Sequence, residues 1–262
     1  GNAWHNQRHN GVAYGPGPVT PGEKSITLPM ALQGVEDSAE PSDWALRCAV
    51  SVLESGAAEG GEVEATLMKL GMWLEDPVPN QVLSQCLALG LPATIVRSLR
   101  KLKNDTPAAA LACSVVARSS GTAECTSAYL RVGALDEISG LMDRHPNHGG
   151  IQNVCLVALC ALLRDSSAAR QAVTLGCVAR VLRAMEATTG REVQYNGLTA
   201  LRVLTDSGRA PRAGLQEAAL RAKVAHQSDN ALSDAANDVL AHVTPRFKEV
   251  LCWHWQSGWC KS

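Results

Sequence analysis

Apolar residues recur along the middle of the chain at helical spacing, and single glycines divide one helical pattern from the next. Gly90, Gly133 and Gly176 are spaced by 43 residues, and Gly214 follows 38 residues later. The apolar segments around the first three glycines are 87–91, 130–135 and 173–178. A regular spacing of about 40 to 47 residues is typical of stacked helical repeats, in which each repeat buries its apolar face against its neighbours.

Two later segments match each other and carry a family resemblance. Residues 151–159 (IQNVCLVAL) align with residues 193–201 (VQYNGLTAL) at an offset of 42. Both resemble the long third helix of an armadillo repeat, whose pattern is E-V-Q-x-x-A-L-x-A-L. The matching residues are Gln152, Leu156, Ala158 and Leu159 in the first segment, and Glu192, Val193, Gln194, Leu198, Ala200 and Leu201 in the second. The segments that begin at Gly133 and Gly176 similarly resemble the second helix. The resemblance implies an all-α fold, a right-handed armadillo/HEAT-like helical solenoid of about four repeats over residues 42–247.

Solenoids that this chain resembles are usually platforms for other proteins, and their third helices line a concave groove. The resemblance therefore implies an unidentified protein partner on the solenoid surface. Some of these proteins hold extended peptides with a ladder of Trp and Asn, whereas the corresponding positions here are Val157, Ala161, Thr199 and Val203. Those side chains do not bind a peptide backbone as an Asn amide does, so this mode is not predicted. Asn153 and Asn196 either face the groove together or are solvated residues at helix starts.

The N-terminal region has a different composition. Residues 1–41 are rich in Gly, Pro, Asn and Ser and show no sustained helical periodicity. Such a segment buries too little apolar surface to offset its chain entropy, so we predict a disordered N-terminal arm over 1–41. Ser42 or Asp43 is expected to cap a helix that runs through Leu53. A further helix is predicted over 62–74, with an apolar stripe of Leu67, Leu70, Met72 and Leu74.

The last residues carry the one chemical motif of the chain. Residues 248–262 resemble the first half of a CCCH-type zinc finger, whose motif runs C-x-x-aromatic-x-x-G-x-C before a third Cys and a His. The four family positions present are Cys252, Trp255, Gly258 and Cys260. The resemblance implies that Cys252 and Cys260 are zinc ligands, because thiolates bind zinc well. It also implies binding of single-stranded RNA, whose bases would stack on Trp253, Trp255 and Trp259.

Two thiolates do not close a tetrahedral zinc site, so we expect zinc only when residues beyond this chain complete the finger. Because the chain begins at Gly1 and ends two residues after Cys260, we expect it to be part of a longer protein. His254 is interpreted as a surface residue, since the family takes its His from beyond the third Cys. The alternative is a pure protein-interaction scaffold whose Trp-rich tail docks on the last repeat, with two incidental cysteines and no metal.

Composition narrows the remaining possibilities. The net charge is −1, so overall charge does not draw the chain to nucleic acid or to a membrane. Cysteines inside apolar helical patterns favour a reducing intracellular compartment, the cytoplasm or the nucleus. These are Cys48, Cys86, Cys113, Cys155, Cys160 and Cys177. No apolar run reaches the roughly 18 residues of a membrane span. Signatures such as G-x-S-x-G and H-E-x-x-H are absent from the sequence, so we expect neither an enzyme nor a small-molecule substrate.

Overall fold

The computed structural model describes residues 26–75, 77–206 and 213–243. These residues form fourteen α-helices and contain no strand, which confirms the predicted all-α fold. The first six helices are α1 (Leu28–Asp37), α2 (Asp43–Glu54), α3 (Gly60–Trp73), α4 (Asn80–Ala88), α5 (Leu91–Lys101) and α6 (Thr106–Ser119). They are followed by α7 (Ala123–Arg131), α8 (Ala134–Arg144), α9 (Gly149–Leu162), α10 (Ser166–Thr174), α11 (Cys177–Ala187) and α12 (Arg191–Asp206). The last two are α13 (Leu215–Ala225) and α14 (Asn230–Val243). Through α12, the helices follow one another in groups of three.

A glycine with positive φ immediately precedes the second helix of each later group. The φ angles are 71° at Gly90, 86° at Gly133, 74° at Gly176 and 77° at Gly214. The left-handed conformation costs an L-residue about 1–2 kcal/mol, so glycine is the residue that allows the sharp turn between two helices. The prediction that single glycines connect successive helices is therefore confirmed, and we call these four residues the glycine joints. They recur at regular spacing because the backbone needs a positive φ before each of these second helices.

Buried glutamines connect the second and third helices of a group. Gln152 on α9 donates hydrogen bonds to the carbonyl oxygens of Met142 at 2.9 Å and His145 at 2.8 Å. Those carbonyls belong to the end of α8, where the last C=O groups have no partner within the helix. Gln194 on α12 bonds the end of α11 in the same way, at 2.7 and 2.6 Å. The recurring Gln of the third-helix pattern thus holds one helix against the end of the previous one.

Equivalent helices of successive groups pack side by side. The second helices α2, α5, α8, α11 and α13 form one layer, and the third helices α3, α6, α9, α12 and α14 form another. One continuous apolar core runs between the layers, which is the arrangement of a helical solenoid. Among the described residues no single helix has the length and apolarity of a membrane span. The helices α4 and α5 have that length and apolarity only when taken together, and the chain bends by 67° between them.

The structure corrects parts of the N-terminal prediction. The helix α1 lies within the segment predicted as a disordered arm, and its Ala31 and Val35 are buried, so the arm prediction is wrong over 28–37. Residues 1–25 of the predicted arm lie outside the described residues. Ser42 does cap α2, accepting a hydrogen bond from the Ala45 N–H at 3.1 Å. In the predicted stripe, Leu67, Leu70 and Leu74 are buried, but Met72 is 59% exposed.

Candidate protein-interaction surface

The outer faces of the third helices form one continuous surface, because these helices lie side by side along the solenoid. Each of them buries the residues at three- and four-residue spacing that face the core, which leaves the opposite face exposed or half-buried. We call this the third-helix surface. It comprises Met68 and Met72 on α3, Ala110, Leu111 and Ser114 on α6, Asn153 and Val157 on α9, Tyr195, Asn196 and Thr199 on α12, and Asp234, Asp238 and His242 on α14.

The part of this surface on α3, α6 and α9 is mainly apolar, with Ser114 and Asn153 as its polar members. Met68 and Met72 are 50% and 59% exposed and lie one turn apart, and Val157 is 38% exposed. Ala110 and Leu111 on the intervening helix are half-buried. Contiguous exposed apolar side chains are characteristic of binding surfaces, and methionine adapts its shape to a partner more readily than branched residues do.

Asn153 and Asn196 meet each other across two adjacent third helices. The side-chain amide of Asn196 donates to Oδ1 of Asn153 at 2.9 Å. Both residues are half-buried, so neither of the two sequence alternatives describes them fully: they lie on the surface but bind each other. Thr199, one turn along α12, donates its hydroxyl to the Tyr195 carbonyl at 3.0 Å. Ala161 is one of the four positions that correspond to the peptide-binding ladder of other armadillo proteins. It is buried here, so it does not belong to the third-helix surface.

Polar contacts connect the C-terminal ends of two pairs of adjacent third helices. On α6, Arg118 donates to the Gly71 carbonyl at 3.0 Å and lies 3.7 Å from a carboxylate oxygen of Glu75. At the other end of the solenoid, Nε2 of His242 lies 2.8 Å from Oδ1 of Asp206. These pairs are exposed, so we expect them to orient the helix ends more than to stabilise the fold.

The predicted metal and RNA residues cannot be placed. Cys252, Cys260, Trp253, Trp255 and Trp259 lie outside the described residues, so their zinc and stacking roles stay predictions. Within the described ranges, no three or more His, Cys, Asp or Glu side chains come together as a metal site.

The cysteines of the described residues are free thiols in or beside the core. Burial raises the pKa of Cys86 and of Cys160 to about 12, so both thiols stay protonated at neutral pH. Cys125, which the sequence did not place, is buried on α7 with its Sγ 3.6 Å from the Leu83 carbonyl oxygen. These cysteines pack as small apolar residues.

Sequence reasoning missed the exposed methionine pair because it assigned Met72 to the buried stripe. The available signal was the helical phase. Met68 and Met72 are four residues apart, whereas Leu67, Leu70 and Leu74 repeat at three and four residues on the other face. A strict face assignment separates the two sets.

The comparisons with known proteins support the fold. No protein-family model matches the chain, and no curated protein matches it. The armadillo repeats only protein from Plasmodium falciparum has a similar structure, with a TM-score of 0.62 and 12% identity over 85% of this chain and 100% of that one. A designed armadillo repeat protein in complex with the peptide (KR)4 has a TM-score of 0.59 and 15% identity over 81% and 85% of the two chains. An engineered protein has a TM-score of 0.60 and 16% identity over 83% and 86%. The chain therefore has an armadillo-like helical repeat fold.

Proposed function

We propose that this chain is a protein-interaction scaffold that binds a partner on its third-helix surface. The observation that supports the proposal is the exposed apolar area on α3, α6 and α9, centred on Met68, Met72 and Val157. Burying such side chains against a partner is favourable by about 25 cal/mol per Å² of apolar surface. The designed neighbour that binds (KR)4 carries the same kind of fold.

The composition of the surface indicates which partner groups it binds. Asn196 donates one N–H to Oδ1 of Asn153, and the exposed side chains of Met68, Met72 and Val157 offer no hydrogen-bond donor to the backbone of an extended peptide. An amphipathic helix satisfies its own backbone and presents only an apolar face. We therefore propose that the partner contributes an apolar helix face to α3–α9. Asp234 and Asp238 on α14 are exposed and would favour basic residues at the other end of the partner segment.

Selection of a displayed library of amphipathic peptides against the full chain tests this function. We expect selected peptides to lose about tenfold or more in affinity with Met68→Asp and Met72→Asp, because a charge in an apolar contact must be desolvated. Met30→Asp is the matched control, since Met30 is 46% exposed on α1 and lies off this surface. Equal losses with all three variants, or binding that none of them changes, would contradict the proposal.

A second candidate function comes from the spacing of Cys252, Trp255, Gly258 and Cys260. The resemblance of residues 248–262 to a CCCH-type finger supports zinc and single-stranded RNA binding on the same scaffold. In a chain that carries the complete motif, we expect about one zinc per molecule and loss of both zinc and RNA binding with Cys252→Ser. Unchanged zinc content in that variant would exclude the finger and favour the pure scaffold.

A further inference from the structure

Two rows of side chains cross the third-helix surface from α3 to α14. Equivalent positions lie 42 or 43 residues apart between successive helices from α3 to α12, and 38 or 39 residues apart between α12 and α14. The first row comprises Met68, Leu111, Asn153, Asn196 and Asp234. The second row lies three or four residues further along each helix and comprises Met72, Ser114, Val157, Thr199 and Asp238. All of these side chains are exposed or half-buried, so a partner can reach both rows.

The members of a row lie on helices that pack directly against each other. Contacts join α3 to α6, α6 to α9, α9 to α12 and α12 to α14. The hydrogen bond of 2.9 Å from Asn196 to Asn153 joins two successive members of the first row. A segment that lies along a row therefore meets each third helix in turn.

The chemistry of both rows changes in the same direction. On α3 they begin with the thioether side chains of Met68 and Met72, and on α14 they end with the carboxylates of Asp234 and Asp238. On α12, between these ends, the rows carry an amide and a hydroxyl, from Asn196 and Thr199. The two ends of the surface therefore select different side chains in one partner.

The carboxylates at the α14 end are not neutralised by an ion pair. Within the ranges that the structure describes, no Arg, Lys or His side chain pairs with Asp234 or Asp238. Lys223 of α13 reaches α14, where its Nζ donates to Oδ1 of Asn237 at 2.7 Å, but its single charge offsets only one of the two carboxylates. This end of the surface therefore attracts a cationic group.

The distance between the two ends determines the length of the partner segment. Adjacent packed helices lie about 8–10 Å apart, so the four steps from α3 to α14 cover about 32–40 Å. A partner helix rises 1.5 Å per residue and therefore needs about 21–27 residues to cross the surface. Its apolar face covers α3 to α9 over about the first half of that length.

We propose that the third-helix surface binds one continuous segment in a single orientation, with its apolar end on α3–α9 and its lysine or arginine side chains on α14. This inference rests on the proposed function and adds the order of the partner's side chains along the surface. The reversed orientation would place cations on Met68 and Met72, where they lose water without gaining a partner, and would leave Asp234 and Asp238 unpaired.

Fluorescence anisotropy with three synthetic helical peptides of about 24 residues tests the proposal. All three carry the same leucine face over the first half, and the same face of the second half carries lysine, glutamine or glutamate. At low salt we expect the lysine peptide to bind about threefold to tenfold more tightly than the glutamine peptide, and the glutamate peptide to bind more weakly than both. The differences should shrink as salt is added, because the charges are exposed.

Charge reversal on α14 should reverse this ranking. We expect Asp238→Lys to weaken the preference for the lysine peptide, and Asp238→Lys combined with Asp234→Lys to favour the glutamate peptide. Glu186→Lys is the matched control for Asp238→Lys, because it makes the same charge change at an exposed position of α11, in the second-helix layer. It should leave the ranking unchanged.

Cross-linking tests the orientation itself. A photo-reactive group at the leucine end of the lysine peptide should label α3 or α6, and the same group at the lysine end should label α12 or α14, as read by peptide mass spectrometry. Labelling of α3 from both ends would show that the segment has no single orientation.

The experiment separates this inference from the proposed function. Met68→Asp should weaken all three peptides alike, so it reports on the proposed function, whereas the ranking of the peptides reports on the inference. Equal affinities of the lysine and glutamate peptides for the wild type would overturn the inference, even where Met68→Asp abolishes binding. A ranking that the double variant Asp234→Lys and Asp238→Lys leaves unchanged would do the same.

Discussion

Single residues explain why the repeat is visible in the sequence at all. The glycine joints recur because the chain must adopt a positive φ before each second helix, and this requirement depends on the backbone rather than on neighbours. The recurring Gln152 and Gln194 were also found from sequence, as matches to a family pattern. Their hydrogen bonds to the preceding helix could not be found from the sequence. The acceptors are backbone carbonyl oxygens six to ten residues away, and only the fold defines where these oxygens lie.

Replacing Gly90 with Ala isolates the cost of the left-handed joint. A Cβ at Gly90 meets no atom within 4 Å, so no clash contributes and only the φ of 71° opposes the substitution. We expect Gly90→Ala to lower the free energy of unfolding by about 1–2 kcal/mol, measured by urea denaturation. Gly56→Ala is the control, because a Cβ there also meets nothing within 4 Å and its φ is not left-handed. Equal destabilisation by both variants would show that the conformation of the joint is not the cause.

At the scale of elements, the order and type of the helices were predictable, and the contacts between them were not. Apolar periodicity indicates which face of a helix is buried, but ion pairs between successive repeats join residues about 40 positions apart. On the second-helix layer, Asp143 of α8 binds Arg180 and Arg183 of α11 at 2.7 and 2.9 Å. No local sequence signal marks such a pair. The short helix α1 was missed for a related reason, since its Ala31 and Val35 become apolar anchors only when α2 is beside them.

The ion pairs of Asp143 predict a pH dependence of stability. Burial alone raises the pKa of Asp143, but hydrogen bonds from Arg180 and Arg183 and their charges outweigh it and lower the pKa below its usual range. A carboxyl with a lowered folded-state pKa stabilises the fold above the unfolded value of about 3.9, and this contribution is lost as the pH falls through the folded value. Asp143→Asn should therefore cost at most about 1 kcal/mol at pH 7, since the pair is partly exposed.

Urea denaturation at pH 7 and at successively lower pH checks this expectation. The difference between wild type and Asp143→Asn should narrow as the pH falls below about 4. Glu186→Gln is the control, because Glu186 is an exposed carboxyl on α11, one of the two helices that the pair joins. A difference that persists unchanged in acid would mean that Asp143 acts through its shape rather than its charge.

At the scale of the whole molecule, the sequence predicted the stack because its period is a property of the chain itself. Neighbouring repeats decide which surfaces stay exposed, so Ala161 and Leu220 could be assigned only from the structure. The residues predicted to bind zinc and RNA, at 252–260, lie outside the described residues, and the fold neither requires nor contradicts these predicted roles. The proposed scaffold function depends instead on the layer of third helices, which is continuous along the described solenoid.

The buried cysteines give this stack a set of internal chemical reporters. Cys48, Cys86, Cys125 and Cys177 lie in four successive groups of helices, and each is shielded from solvent. An alkylating reagent reacts with the thiolate at an accessible sulfur, so these four sites stay unmodified until their own group opens. Mass spectrometry after brief alkylation would thus record the order in which the groups open, without any labelled residue having been introduced.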